Sequence, residues 1–122
     1  MAKYVDYLVI TCAGGEKTEK LISKTVISSM KKTSYLINVS RGTVIEEKAL
    51  INSLKNNKIK GAALDVFFNE PKINPIFKKL NNVILHPHHG SGTIETRNAM
   101  AQLSCMNLIN FFKKGKPLHK VI

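Results

Sequence analysis

Three residues with side chains suited to acid–base or carboxylate chemistry each follow a short apolar run in this sequence. Arg41, Glu70 and His88 come within a few residues of the ends of these runs. An arginine can hold a carboxylate through paired donors, and a histidine can exchange a proton near neutral pH. A neighbouring carboxylate favours the charged imidazolium. Together the three residue types indicate a site that binds a carboxylate and moves a proton.

The apolar runs are predicted strands, and the amphipathic segments between them are predicted helices. Continuous apolar strands that alternate with helices are typical of a parallel sheet covered by helices on both faces. We therefore predict an open α/β fold. Its strands are expected at residues 7–11, 34–39, 61–67 and 82–85, and its helices at 18–30, 46–56 and 93–112. Thr93 is a candidate N-cap of the last helix, and Gly115 is expected to stop it.

The carboxyl ends of such strands form the edge at which ligands bind in open α/β sheets. The loops predicted at that edge are residues 12–15, 40–43, 67–71 and 86–93. Arg41, Glu70 and His88 lie in three of them. Each residue alone could be a structural salt-bridge or loop residue, but their shared edge favours one common site.

Two stretches of the sequence, LINVSRGTVIEEKALINSLKNNKIKGAALDVFFNEP and NVILHPHHGSGTIETRNAM, resemble the D-isomer-specific 2-hydroxyacid dehydrogenases. The resemblance runs from about residue 7 to the end of the chain. The second stretch is most similar to the hydroxyphenylpyruvate, hydroxypyruvate and glyoxylate reductase branch. The resemblance implies a Rossmann-like NAD(P)-binding domain. It also implies an oxidoreductase that interconverts small 2-oxo acids and D-2-hydroxy acids by hydride transfer with NAD or NADP.

The resemblance assigns catalytic roles to the three residues found from their chemistry. Arg41 matches the arginine that orients the carboxylate and carbonyl of a 2-oxo acid. His88 matches the acid/base that protonates the carbonyl oxygen, and Glu70 matches the acidic partner that keeps the histidine protonated.

The resemblance also implies a set of cofactor contacts near the strand ends. Asp65 matches a residue near the nicotinamide carboxamide, although it could instead close a turn. A core position remains open for Cys12, as do turn and cap roles for Ser91 and Thr93. The implied cofactor-binding residues are Cys12, Ala13, Val39, Ser40, Arg41, Asp65, His88, Gly90 and Ser91.

Three histidines close together, His86, His88 and His89, raise the question of a metal site. In an extended segment His86 and His88 would lie on one side and His89 on the other. The sequence offers no further ligand cluster beside them, so no metal is predicted. His86 is assigned no role.

Some features of a complete dinucleotide-binding domain are missing from these 122 residues. The sequence has no G-x-G-x-x-G turn, no acidic residue to hold the adenosine ribose, and no substrate domain. We therefore expect residues 1–122 to be the second half of a Rossmann-like domain, with 113–122 a tail toward a substrate domain. Such a fragment is expected to be inactive alone and to associate, as a homodimer or otherwise, through the exposed edge of its first strand. The alternative is an inactive half-domain remnant that acts as a protein-interaction module.

Composition excludes several other classes of protein. The chain carries 19 basic and 8 acidic residues, a net charge of +11. All the basic residues except Arg41 and Arg97 are scattered lysines, which argues against specific nucleic-acid recognition. No apolar run approaches the roughly 18 residues of a membrane span, and the N-terminus does not resemble a signal peptide. The two cysteines form no disulfide framework. A cytoplasmic protein is the expectation.

Overall fold

The computed structural model describes residues 1–120, and Val121 and Ile122, the end of the predicted tail, lie outside the described residues. The chain divides into two compact units, Met1–His89 and Gly90–Ile122. The first unit contains the sheet and the second contains the long helix.

A four-stranded parallel sheet forms the centre of the first unit, as predicted from the apolar runs. The strands lie side by side in chain order, so every crossover joins neighbours. Leu8, Leu36 and Ala62 are aligned across the first three strands. This alignment brings all four carboxyl ends to one edge. The strands are β1 (Tyr7–Ile10), β2 (Tyr35–Asn38), β3 (Gly61–Leu64) and β4 (Val83–Leu85).

Two helices of the first unit, α1 (Lys24–Ser29) and α2 (Glu47–Lys55), pack on one face of the sheet. Ile27 of α1 and Leu50 and Leu54 of α2 are almost fully buried in one core with Leu36 of β2. Burying such aliphatic side chains stabilises the fold by about 1.5 to 3 kcal/mol each. This core fixes the strand ends that carry the site.

The opposite face of the sheet is apolar and exposed. Strand residues point alternately to the two faces, and Tyr7, Val9 and Ile84 on this face are 63 %, 52 % and 71 % exposed. The Tyr7 ring stacks on the Tyr35 ring of the adjacent strand, with centroids 5.6 Å apart. Within this unit the predicted helical cover is therefore present on one face.

The predicted helix at residues 18–30 is wrong over its first six residues, because α1 begins at Lys24. Ser23 is the N-cap of α1, and its hydroxyl accepts a hydrogen bond from a backbone N–H of the first turn. Ile22, just before the cap, is held in an extended bridge with Ile45. The apolar spacing of the segment extends beyond the helix because Ile22 is buried by this bridge rather than by a helical face.

The second unit is built on α3 (Ile94–Lys114), which begins and ends as the sequence predicts. Thr93 is its N-cap and accepts a hydrogen bond from the Thr96 backbone N–H at 3.2 Å. Gly115 ends it in the left-handed conformation, with φ of +72°, which glycine adopts without steric cost. Among the described residues, no helix is long and apolar enough to cross a membrane.

Candidate active site

The loop after β2 is organised by Asn38, the last residue of that strand. The Asn38 side chain is fully buried. Its amide donates a hydrogen bond to the Arg41 carbonyl at 2.9 Å, and its Oδ1 accepts one from the Ser40 N–H at 3.0 Å. Both polar ends of the side chain are therefore used to fold the loop around Arg41. The sequence analysis missed this residue, although a polar side chain ending an apolar run is the signal that could have identified it.

Arg41 is exposed at the strand-end edge. Its guanidinium Nη1 donates to the carbonyl of Ser40 at 2.6 Å. The aliphatic part of its side chain passes close to Gly14 of the loop after β1, where a Cβ would lie 2.5 Å from the Arg41 Cγ. The absence of a side chain at Gly14 thus leaves the space that Arg41 occupies.

The loops after β2 and β3 touch through their backbones at Gly42. A Cβ on Gly42 would lie 1.9 Å from the Phe67 carbonyl carbon, so only glycine fits there. The Phe67 N–H in turn donates to Glu70 Oε1 at 2.7 Å. This contact chain links the loop of Arg41 to the loop of Glu70.

Glu70 and His88 form a hydrogen-bonded pair. Glu70 Oε2 lies 2.7 Å from His88 Nδ1, and the side chains are 34 % and 46 % exposed. Burial alone would raise the pKa of Glu70, but the His88 hydrogen bond, the Phe67 N–H and the charges of His88 and Arg41 together lower it below its ordinary value. Glu70 is therefore a carboxylate at neutral pH, and because a carboxylate only accepts hydrogen bonds, His88 Nδ1 is the donor of this pair.

The pairing fixes which nitrogen of His88 is available. Because Nδ1 points to Glu70, Nε2 lies on the opposite side of the ring. His88 also borders a cavity of about 400 Å³, whose lining includes Glu70, Lys78 and the apolar side chains of Ile73 and Leu85. The site can therefore present a proton donor beside a space large enough for a small organic acid.

Asp65, the buried residue that follows β3, is engaged with the histidine segment. Its Oδ1 lies 2.5 Å from His86 Nδ1 and accepts the His89 backbone N–H at 2.8 Å. The sequence analysis gave His86 no role, and its pairing with Asp65 depends on a contact between residues 21 positions apart. Asp65 accordingly shapes the loop that carries His88.

The other predicted cofactor residues are dispersed along the edge. Ser40 is buried, and its hydroxyl donates to the Cys12 carbonyl, which joins the loops after β1 and β2. Ala13 and Val39 are exposed at the same edge, and Val39 is 47 % exposed. Gly90 and Ser91 belong to the turn that precedes α3 in the second unit.

Among residues 1–120, no group of three or more His, Cys, Asp or Glu side chains is arranged to hold a metal ion. The three histidines are instead engaged with carboxylates or with each other. The rings of His86 and His89 meet edge to face at 5.8 Å. The local chemistry is that of two histidine–carboxylate pairs beside an arginine.

About three quarters of the chain match a known protein family. Residues 1–90 match the family model described as the D-isomer specific 2-hydroxyacid dehydrogenase, NAD binding domain. The chain is 41 % identical over 122 residues to 2-ketogluconate reductase of Gluconobacter oxydans, matching all of this chain and 39 % of that protein.

Solved structures agree with the sequence comparison. The NADPH-dependent glyoxylate/hydroxypyruvate reductase of Sinorhizobium meliloti, solved with NADP and malonate, has a TM-score of 0.95 and 40 % identity, over 98 % of this chain and 38 % of that one. A glyoxylate reductase from Paecilomyes thermophila has a TM-score of 0.91 and 33 % identity, over 95 % and 35 %. The chain thus spans about two fifths of the length of the relatives it matches.

Proposed function

Since the chain belongs to the D-isomer-specific 2-hydroxyacid dehydrogenase family, we propose that it carries the catalytic residues of an NAD(P)-dependent oxidoreductase that interconverts small 2-oxo acids and D-2-hydroxy acids. The observation that carries the proposal is the Glu70–His88 pair, 2.7 Å apart at the sheet edge that also bears Arg41. We propose that residues 1–122 form part of the NAD(P)-binding domain, with 113–122 leading toward a substrate domain.

Arg41 is assigned the binding of the substrate carboxylate. Its guanidinium is exposed, and only Nη1 has a described hydrogen-bond partner, the Ser40 carbonyl. The remaining donors of the planar fork can bind a carboxylate and an adjacent carbonyl oxygen in a paired geometry. Held in this way, the 2-oxo acid has its carbonyl oriented for reduction.

His88 is assigned the proton transfer. The ionised Glu70 favours the imidazolium form and fixes the ring so that Nε2 carries the available proton. In reduction, Nε2 donates this proton to the carbonyl oxygen as the carbonyl becomes an alcohol. In oxidation, the neutral ring accepts the proton of the hydroxyl group at the same nitrogen.

The nicotinamide cofactor, when bound, supplies or takes up the hydride. The strand-end edge suits such a group because Val39 offers an exposed apolar surface to a flat ring, and the small residue Ala13 is exposed in the loop after β1. Cys12, Ser40 and Asp65 are assigned to the same edge, and Gly90 and Ser91 to the turn before α3. The hydroxyl of Ser40 is used by the Cys12 carbonyl, so Ser40 would contribute by shaping the loop.

The test of this proposal is His88→Gln, which keeps a polar side chain but removes the transferable proton. We expect kcat for NAD(P)H-dependent reduction of glyoxylate or hydroxypyruvate to fall by roughly 10²- to 10⁴-fold. Cofactor affinity, followed by the fluorescence of bound NADH or NADPH, should stay nearly unchanged. Turnover is assayed in the full gene product, since residues 1–122 are expected to be inactive alone.

An equal loss of cofactor affinity and turnover in His88→Gln would contradict the assigned role, because a structural residue would disturb both. The matched control is His119→Leu, which removes an exposed histidine of the second unit while keeping the backbone N–H that donates to Asn107. Turnover by this control should equal that of the unmodified protein.

The substrate class proposed is that of glyoxylate, hydroxypyruvate and hydroxyphenylpyruvate. Similarity to the glyoxylate/hydroxypyruvate reductase of Sinorhizobium meliloti supports the two smaller acids, and the cavity of about 400 Å³ beside His88 has room for such molecules. Comparing kcat/KM for the three acids with each cofactor would decide both preferences.

We also propose association between copies through β1, in a cytoplasmic setting. In the described chain β1 pairs on one side only, with β2, and its Tyr7 and Val9 side chains are largely exposed. An open strand edge with apolar side chains favours pairing with another strand. Size-exclusion chromatography with light scattering should give a dimer or larger species, and a compact monomer would contradict the proposal.

A further inference from the structure

Two histidine–carboxylate pairs stand next to each other after β4, and only one of them has a role in the proposed reaction. His86 Nδ1 lies 2.5 Å from Asp65 Oδ1, and His88 Nδ1 lies 2.7 Å from Glu70 Oε2. The carboxylates differ in surroundings, because the Asp65 side chain is 9 % exposed and the Glu70 side chain 34 % exposed. The more deeply buried and shorter contact therefore belongs to the pair that takes no part in the proposed proton transfer, in which His86 has no assigned role.

A single oxygen of Asp65 contacts the chain on both sides of His88. Asp65 Oδ1 accepts from the ring of His86, two residues before His88. It also accepts from the backbone N–H of His89, one residue after it, at 2.8 Å. Because Asp65 directly follows β3 and its own N–H donates to the Asn38 carbonyl at 3.0 Å, the oxygen is anchored to the sheet.

The residue held between these two contacts has an uncommon backbone conformation. His88 has a φ of +55°, in the left-handed region that residues other than glycine rarely adopt. Its N–H donates to the His86 carbonyl at 3.1 Å, which closes a tight turn. A non-glycine residue keeps such a conformation only where its surroundings fix it, and the two contacts of Asp65 hold His86 and His89 on either side of it.

We propose that His86 and Asp65 form a clamp that holds His88 in its left-handed conformation and thereby directs its ring toward Glu70. In this proposal His86 is a positioning residue, since it acts on the reaction through the orientation of His88. The inference rests on the proposed function in one respect: the orientation of His88 is taken to serve proton transfer at Nε2. The clamp itself is a statement about geometry and can be tested without turnover.

The test compares two substitutions at His86. His86→Phe keeps the ring and its edge contact with His89 but removes the donor to Asp65. His86→Asn keeps a donor, because the amide nitrogen of asparagine lies near the position of the histidine Nδ1. If the phenylalanine variant does not fold, His86→Leu takes its place, because it also removes the donor and has a smaller side chain.

NMR of the 122-residue chain gives the first readout. A positive φ produces a strong intraresidue NOE between the amide and α protons of His88. This NOE, and the contacts of the His88 ring with Glu70, should weaken in His86→Phe and be retained in His86→Asn. The control His119→Leu should leave both signals unchanged. An unchanged His88 in His86→Phe would overturn the proposal, as would equal losses in the Phe and Asn variants.

The second readout is kcat and KM, measured on the catalytically active gene product. His86→Phe should lower kcat by about tenfold, because small misplacements of a catalytic group have effects of this size or larger, with little change in KM. His86→Asn should recover most of the loss. If His86→Phe kept the kcat of the unmodified protein while His88→Gln was inactive, the clamp would be overturned and the proposed function would stand. Full activity in His88→Gln would overturn the proposed function, while the NMR result would still decide the clamp.

Discussion

The arginine loop (residues 39–42) and the histidine loop (residues 86–89) occupy equivalent places after β2 and β4, yet they are held in different ways. The arginine loop is folded by Asn38, a buried residue at most three positions away from the groups it binds. The histidine loop is held by Asp65 and Glu70, which lie 18 to 24 positions earlier in the chain. The first loop thus depends on its own strand, whereas the second depends on the loop after β3.

This difference coincides with the two proposed catalytic tasks. The backbone that carries Arg41, the residue proposed to hold a carboxylate, is fixed by hydrogen bonds to Asn38. His88, the residue proposed to exchange a proton, has its ring held at Nδ1 by the Glu70 carboxylate, which leaves Nε2 for a substrate. The distant partners of the histidine loop therefore fix the orientation that the proposed proton transfer requires.

The largest effect is expected where the arginine loop and the loop after β3 touch. Gly42→Ala places a Cβ 1.9 Å from a backbone carbon of Phe67, and backbone cannot rotate out of the way. We expect the free energy of unfolding to fall by about 3 kcal/mol, measured by urea denaturation. The same change should also weaken the Glu70–His88 pair, because Phe67 donates to Glu70.

Gly14→Ala is the matched control for this substitution. Its Cβ would meet the aliphatic part of Arg41 at 2.5 Å, and that flexible side chain can move. The loss of stability should be about 1 kcal/mol or less, with Arg41 displaced. Equal destabilisation by the two alanines would show that the Gly42 contact is not decisive.

The next largest effect is expected at Asn38, and it tests whether hydrogen bonds from the last residue of β2 hold the arginine loop. Asn38→Ala removes both hydrogen bonds of a fully buried side chain and leaves the Ser40 N–H and the Arg41 carbonyl without it. We expect a loss of about 2 kcal/mol in the free energy of unfolding. Substrate binding should weaken more than cofactor binding.

Asn38→Asp sharpens this result. The aspartate can still accept from the Ser40 N–H, but it sets an oxygen against the Arg41 carbonyl and buries a charge. Its effect on stability should equal or exceed that of alanine. A loss below about 0.5 kcal/mol in both variants would mean that the loop is held from elsewhere, since hydrogen-bonded buried groups normally cost more to remove.

A smaller effect is expected from Ser40→Ala, which removes a distant contact of the arginine loop. The Ser40 hydroxyl donates to the carbonyl of Cys12, 28 positions earlier. We expect a loss of about 1 kcal/mol, measured by urea denaturation, with substrate affinity retained. Ser34→Ala is the control, because the buried Ser34 hydroxyl donates to the Val5 carbonyl, 29 positions earlier, outside the arginine loop. Loss of substrate binding in Ser40→Ala alone would contradict the view that the loop is organised locally.

The same contrast between local and distant contacts explains what the sequence could predict. The four strands and their parallel arrangement follow from apolar runs separated by helical segments, and the structure confirms them. The caps of α3 at Thr93 and Gly115 follow from residue type and position, and they too are confirmed. The start of α1 was wrong because Ile22 is buried by its bridge to Ile45, a contact between distant residues.

At the site, residue types located Arg41, Glu70 and His88 because parallel strands bring their loops to one edge. The structure brings Glu70 and His88 together, and the Arg41 charge acts on the same carboxylate. The pairing of His86 with Asp65 could not be predicted, since it depends on how β3 and β4 align and on the left-handed turn at His88. Local patterns therefore predict where the loops lie, and the packing between loops decides which side chains meet.

The smallest effect on stability is expected at Glu70, and it depends on pH. A carboxyl group whose pKa is lowered in the folded state contributes stability above its ordinary pKa of 4.5, and this contribution is lost as the pH falls through the lowered value. Glu70→Gln keeps the shape but cannot ionise. The unmodified protein should therefore exceed this variant in stability near neutral pH by a small margin, because the pair is partly exposed and screened. The margin should vanish in acid below pH 4.5, as followed by urea denaturation across the pH range.

Glu16→Gln, at an exposed glutamate in the loop after β1, controls for the loss of one negative charge. A margin that grows in acid would mean that Glu70 is held in its neutral form, and the histidine loop would then lack the charge that favours an imidazolium at His88.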